Sequence, residues 1–380
     1  MSKSQMLYCA TDKEIFDILM SSKQQFSESA LLDVARLRGL LLSPQDSREE
    51  IADRLSTMLF GYREIRVLQA EFERTGRGEK TTSFRLNGSI TTEEIRKAAL
   101  EYCDAAGEDE IASAYSAGPS NVSMDVKYVE TDFSKTRLRQ RRRREARIDI
   151  QVGETCTIVT LPATEKARSV AEDLRARIVA AKSESVVAEE VDLSELHDPL
   201  LRTRFFTDLI STLPDLSLVN VTRVKVDRFD EGEHLIDGGD EDDGDGENDA
   251  ASEEMLGIVR AVALQGESLL SSTEYQSLHS RGFFISSITW TCKRTEAPYQ
   301  QVQFEAGFDE PSQGRGFKYG VRGWHTQRGG DYTKTLRPIP TEDKRAFLAT
   351  IEGASTRVMA AIKQDAASRA CDAPDGGGSE

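Results

Sequence analysis

The apolar residues of this chain change their period once, and that change limits the folds open to it. Across residues 12 to 73 they fall three and four apart: Ile15, Ile18 and Leu19, then Leu31, Val34 and Leu37, then Ile51 and Leu55, with Leu68 and Phe72 beyond. Such spacing collects one face of a helix. From Val122 the period is two, with Met124, Val126 and Tyr128 alternating against Asp125, Lys127 and Val129. Ile148, Ile150 and Val152 then lead through Gly153-Glu154 into Cys156, Ile158 and Val159, which reads as a hairpin. Helices are predicted over 164–182, 198–212, 253–265, 272–280 and 342–364, and strands over 216–229, 282–295, 299–309 and 315–325. The class this implies is α+β, a helical N-terminal module followed by mixed or antiparallel sheet with packed helices.

Local signals divide the chain. Ser47 with Glu50 three residues later forms a capping-box pattern, and Thr91 or Thr92 ahead of Glu94 starts a further helix. Between Asp227 and Glu254 stand 14 acidic residues and one arginine, a net −13 within a chain of net −16. The Asp- and Gly-rich part of that stretch holds too little apolar surface to offset chain entropy. The expected organisation is a helical module over 1–120, a central α/β sheet domain over 121–236, an acidic disordered loop over 237–252, an α+β domain over 253–365 and a disordered tail over 366–380. As a tethered polyanion, the loop is expected to compete with phosphate for any basic patch. Its Glu241, Asp243, Asp245 and Gly246 have the spacing of a calcium loop, but Ser252 stands where the bidentate glutamate would be, and disorder is the better explanation.

Charge and cysteines exclude several classes. The five cysteines are odd in number and widely separated, with no C-x-x-C and no Cys/His cluster at zinc-ligand spacing. They read as reduced thiols, so a cytoplasmic protein is expected. There is no apolar leader and no run of 18 apolar residues, so no membrane partner is expected either. No Walker A or G-x-G-x-x-G loop, H-E-x-x-H or G-x-S-x-G occurs, and neither catalytic residues nor a cofactor or metal are predicted.

Within the helical module, the stretch Leu42 to Leu55, LSPQDSREEIADRL, resembles the second half of a SAP motif, a family of two short helices around a turn associated with DNA binding. Leu37, Leu42, Arg48, Ile51, Arg54 and Leu55 match. Leu41 and Asp46 stand where the family usually has glycines, and Asp33 where an apolar residue is usual; an ordinary helical hairpin accounts for the same periodicity. The resemblance implies that the second helix offers its free N–H groups to phosphate, with Arg48 and Arg54 beside them.

Two further stretches are basic. Lys135 to Arg147 holds eight cations, including Lys135, Arg137, Arg139, Arg141, Arg142, Arg143 and Arg144, against one anion, Glu145. Phosphate neutralisation with counterion release is one use for it, and a solvated strand approach or an intramolecular partner for the acidic loop are others. In Gly314 to Arg328 aromatics interleave with cations, and strict alternation would set Phe317, Tyr319 and Val321 on one strand face and Lys318, Arg322 and Trp324 on the other. That second face would hold phosphates and stack a base on Trp324, as single-strand binders do, unless it is plain solvent exposure.

These features point to a non-catalytic nucleic-acid-binding accessory protein, DNA ahead of RNA, in DNA maintenance or anti-element defence. Two rivals remain: a protein-interaction adapter within a larger complex, and a metal-dependent nuclease built on Asp125-Val126-Lys127 with Asp109 or Glu110.

Overall fold

The computed structural model describes residues 10–21, 26–43, 45–73, 79–107, 110–181, 186–228, 251–256, 259, 277–278, 280–328 and 330–372. The acidic loop with its calcium-loop-like pattern, most of the predicted helices over 253–265 and 272–280, and Asp109 lie outside these. The class is α+β, as the period change predicts. The chain divides into two compact units, neither contiguous: unit 1 is Met1–Arg77, Ala99–Tyr115 and Met124–Arg147, and unit 2 is Gly78–Ala98, Ser116–Ser123 and Ile148–Glu380.

Unit 1 begins with four helices, α1 (Asp12–Met20), α2 (Glu28–Leu37), α3 (Arg48–Ser56) and α4 (Tyr62–Glu73). Thr11 and Ser47 close capping boxes with Glu14 and Glu50, so α1 and α3 start where Ser/Thr-x-x-Glu places them. The backbone N–H and hydroxyl of Ser47 hold the Glu50 carboxyl below the usual glutamate range, and the Gly61 N–H does the same for Glu64 ahead of α4. Ile15, Ile18, Leu19, Leu31, Ile51, Leu55, Ile65 and Leu68 are buried together. Each fully buried aliphatic side chain stabilises by about 1.5–3 kcal/mol relative to exposure.

The helix α5 (Thr92–Ala105) and the strands β2 (Glu110–Gly118), β3 (Asn121–Thr131) and β4 (Arg141–Val152) each have residues in both units. Within unit 1 the strand portions lie side by side in the order β2, β3, β4. β4 begins at Arg141, seven residues before the apolar alternation that marks it in the sequence. The arginine run is therefore strand, not an approach to one.

Unit 2 is organised by β1 (Thr81–Asn87), β5 (Cys156–Pro162), α6 (Glu165–Ala181), β6 (Val187–Glu190), α7 (Pro199–Ser211), β7 (Leu216–Arg228), β8 (Phe283–Arg294), β9 (Gln301–Glu310), β10 (Arg315–His325), the small pair β11 (Gln327–Arg328) and β12 (Asp331–Tyr332), and α8 (Thr341–Asp372). Its sheet runs β4-β5-β1-β10-β9-β8-β7, antiparallel at each pairing whose register is fixed. β6 takes Phe84 to Asn87 of β1, which leaves β10 only Thr81, opposite Tyr319. The strands either side of the acidic segment, β7 and β8, pair directly from Leu216↔Arg294 to Arg228↔Phe283. α8 continues eight residues past the predicted end at Gln364, through an alanine-rich turn of high helix propensity.

The core of unit 2 sets Phe205, Phe206 and Leu209 of α7 and Phe347, Ile351 and Ile362 of α8 among Trp290, Phe304, Phe308, Phe317 and Tyr319 of the sheet. The rings meet edge-on or tilted, 5.3–5.9 Å apart, the arrangement their quadrupoles favour. Arg85 of β1 forks onto Glu352 of α8 at 2.8 and 3.2 Å. Arg202 of α7 is 2 % exposed and donates to the carbonyls of Leu196 (2.8 Å), Pro311 (2.6 Å) and Ser312 (2.8 Å), with the Phe284 ring 4.9 Å away. Burial pushes its pKa down to about 10, which still leaves it charged at neutral pH.

Arg202→Met keeps the aliphatic stem and strands four carbonyls, those of Leu196, Pro311 and Ser312 and that of Leu193, which accepts at 3.5 Å. It is expected to lower unfolding free energy by about 3 kcal/mol or more, read by urea denaturation with tryptophan fluorescence. A loss below about 1 kcal/mol would show that water replaces the guanidinium without cost.

Candidate nucleic-acid interface

The basic residues marked in the sequence separate into three settings. In the helical module, Arg48 is the first residue of α3, where the SAP-like resemblance sets it beside phosphate. Its guanidinium turns inward, donating to the carbonyls of Phe26 (2.9 Å) and Leu19 (2.8 Å) and lying 3.5 Å from the Met20 sulfur. It thus satisfies an orphan carbonyl in the last turn of α1. Arg54, half exposed, pairs with Asp46 at 3.1 Å. Leu37 and Leu41 are 89 % and 99 % exposed.

The turn between β3 and β4 is tied to the helices by an apolar residue as well as by charge. Leu138 is buried in the helical core, and its carbonyl accepts from Gln69 of α4 at 2.9 Å. Arg137 pairs with Glu14 at 2.9 Å and Lys135 with Asp132 at 3.8 Å. The hydroxyl and N–H of Ser134 hold the Asp132 carboxyl below the usual range. Arg139 closes the turn, its N–H donating to the Thr136 carbonyl at 2.7 Å.

β4 then sorts the four consecutive arginines by parity. Arg142 and Arg144 are half-buried and share a face with Ala146, and Arg144 pairs with Glu130 of β3 at 2.9 Å. Arg141 and Arg143 are exposed on the other face, and their side chains make no hydrogen bond or ion pair among the described residues. Glu145 lies between them and Arg147 and meets Lys127 of β3 at 3.8 Å. Arg147 reaches across β3 to stand 5.8 Å from the ring of Tyr115 on β2. Tyr115 is 40 % and Ile111 71 % exposed. This face therefore presents Lys127, Arg141, Arg143 and Arg147 against Asp125 and Glu145, with an aromatic ring beside them. On the opposite face Tyr102 of α5 donates to Glu110 at 2.6 Å.

Lys318, Arg322 and Trp324 lie in unit 2 and do not share one face. β10 carries a bulge between Val321 and Gly323, after which Trp324 falls opposite Val302 and enters the core face. Gly323 is held in place because a Cβ there would come within 2.8 Å of the Arg337 carbonyl, to which the Trp324 N–H donates at 3.0 Å. The expected stacking platform is corrected accordingly: Trp324 is buried, Arg322 is exposed, and Lys318 is bonded to Asp309. A bulge adds one residue to one strand and inverts the alternation beyond it, which strict parity counting does not register.

Tyr115 and Arg147 were not among the predicted binding residues. β2 is written largely in alanine and serine, so its alternation carries no apolar contrast. Among the described residues no three His, Cys, Asp or Glu side chains gather as metal ligands. No described helix is long and apolar enough to cross a membrane. No protein-family model matches the chain, and no curated protein matches it.

Arg48→Ala is expected to lower the stability of the helical module by about 2 kcal/mol, since two buried carbonyls lose a charged donor. Arg54→Ala, at an exposed pair, is expected to change it by less than about 0.5 kcal/mol. Thermal denaturation followed by circular dichroism distinguishes them; equal losses would remove the clasp role of Arg48.

Proposed function

We propose that the chain is a non-catalytic nucleic-acid-binding protein that holds a sugar-phosphate backbone on the exposed face of β2, β3 and β4 in unit 1. The observation that carries this reading is the sorting of the arginine run. Arg142 and Arg144 are drawn into the unit, whereas Arg141 and Arg143 stand exposed and make no ion pair among the described residues. Like charges two residues apart on one strand face repel, and a phosphate backbone removes that repulsion while releasing counterions. Tyr115 supplies a ring against which an unpaired base can stack, and Arg147 keeps the surroundings of that ring positive. The SAP-like stretch from Leu42 to Leu55 favours DNA over RNA, and a role in DNA maintenance or anti-element defence is in keeping with such a binder.

A second reading, a protein-interaction adapter, is favoured by one observation: Leu37, Leu41 and Leu59 of the helical module are 89 %, 99 % and 95 % exposed. Apolar side chains so fully in water gain from a partner surface.

The deciding experiment is a salt titration of binding to single-stranded DNA, duplex DNA and RNA. The double variant Arg141→Ala/Arg143→Ala is expected to weaken binding about equally for all sequences, because phosphate contacts carry no base information. The slope of log affinity against log salt is expected to fall by about 0.7 to 0.9 for each phosphate that is no longer neutralised. Tyr115→Ala is expected to weaken single-strand binding by about 1–3 kcal/mol per base stacked. An unchanged slope in the arginine variant would remove this face from the binding site, and loss of a protein complex with nucleic-acid binding intact would favour the adapter.

A further inference from the structure

Strand pairing in unit 2 fixes a transverse row of side chains on the sheet face that alternates with the one bearing Phe304, Ala306 and Phe308. Lys225 of β7 lies opposite Ser287 of β8, Ser287 opposite Gly307 of β9, and Gly307 opposite Lys318 of β10. The next row is Arg223, Thr289, Glu305 and Gly320. Directly opposed residues share a face, so two lysines flank a floor made only of a serine and a glycine. Three interstrand spacings separate their backbones, about 14 Å. Gly307 must lack a side chain, since a Cβ there would stand 2.8 Å from both Cβ and Oγ of Ser287.

The row bounds a groove of about 740 Å³ that Lys80 and Arg223 also line. Lys318 is bonded to Asp309 and Lys80 lies 4.0 Å from Glu305. Arg223 and Lys225 are exposed and make no ion pair among the described residues. Burial pushes the Lys80 ammonium below its usual pKa; Glu305 and Asp309 pull it up, and Lys318 and Lys225 push it down. The three ammonium groups therefore lie in one another's field. Asp227 and Glu253 also line the groove; with Glu305 and Asp309 set against Lys80 and Lys318, Arg223 and Lys225 are the lining cations that make no ion pair among the described residues.

We infer that this groove binds a short polyphosphate chain, free or carried by a nucleoside, laid across the strands between Arg223 and Lys225 at one end and Lys318 and Lys80 at the other. A single phosphate is too small to engage both ends of the row. A duplex is too broad to settle on a serine and glycine floor between lysines. A linear polyanion meets both requirements, with the charged side chains at the two ends of the row as its donors, since the Ser287 hydroxyl midway already donates to the Ala306 carbonyl at 3.0 Å. The inference stands apart from the unit 1 face, since the two use different residues.

The test is titration calorimetry on the full chain at low salt with orthophosphate, tripolyphosphate, a nucleoside triphosphate and a single-stranded oligonucleotide. Tripolyphosphate is expected to bind at least tenfold more tightly than orthophosphate. Arg223→Ala/Lys225→Ala is expected to weaken it at least tenfold and to leave oligonucleotide binding unchanged, whereas Arg141→Ala/Arg143→Ala is expected to do the reverse. Ser287→Leu, which fills the floor without altering charge, is expected to abolish tripolyphosphate binding; if its melting curve shows misfolding, the exposed Arg223/Lys225 pair carries the decision. A nucleoside triphosphate that binds more tightly than tripolyphosphate identifies the nucleotide as the source, and equal affinity identifies the bare chain. Equal affinity for orthophosphate and tripolyphosphate, an unaffected Arg223/Lys225 variant, or displacement of tripolyphosphate by the oligonucleotide would each overturn the inference.

Discussion

A buried guanidinium is tolerable only when its N–H groups find acceptors, and in unit 2 this condition organises the chain around Arg202. The carbonyls it binds come from the approach to α7, at Leu196, and from the turn between β9 and β10, at Pro311 and Ser312. One side chain thereby fixes the helix against the hairpin whose strands form the middle of the sheet. The same turn is held from another side, where the Leu193 N–H donates to the Gly314 carbonyl at 3.0 Å. With the turn pinned, the register of β9 on β10 is set, and with it the rows on the outer face, including the one that places Lys318 opposite Gly307. Specificity of this kind depends on complete satisfaction of the polar group, because a half-satisfied one would cost more than an apolar substitute.

Much of the architecture was legible in the sequence because it rests on periodicity. The helices α6 and α7 and the strands β7 to β10 begin and end within about two residues of their predicted bounds, and the Ser47–Glu50 box opens α3 as its spacing requires. The parts that were not legible share a physical reason. β1 and β2 are short of alternating large apolar residues: β1 reads TTSFRLN and β2 EIASAYSAG, so neither gives a period-two contrast. The start of β4 was hidden because four arginines occupy positions that pairing with β3, not hydrophobicity, makes into strand. Nor does local sequence reveal that β7 and β8 pair across the acidic segment, or that segments from three parts of the chain make up unit 1.

The candidate sites were legible in composition and not in orientation. Lys135 to Arg147 is plainly basic, but which of its cations are exposed is a matter of strand parity and of where Glu14, Asp132 and Glu130 lie in space. Trp324 shows the converse. Its neighbours suggest an open face, and one bulge at Arg322 turns it inward. Arg223 and Lys225 were not among the predicted binding residues, although Arg223, Val224, Lys225, Val226 and Asp227 alternate openly and that alternation sets two cations on one face of β7.

The interlacing of the two units bears on how the gene can be divided. β1 lies between β5 and β10 in the sheet, yet its residues, 81 to 87, are encoded upstream of much of unit 1. A fragment beginning at residue 148 would retain β5 and β10 while losing the strand that joins them, leaving unpaired backbone along β5 and at Tyr319 of β10. Open strand edges recruit other chains. Truncations chosen to isolate the C-terminal two-thirds would therefore yield aggregates for reasons of missing partnership.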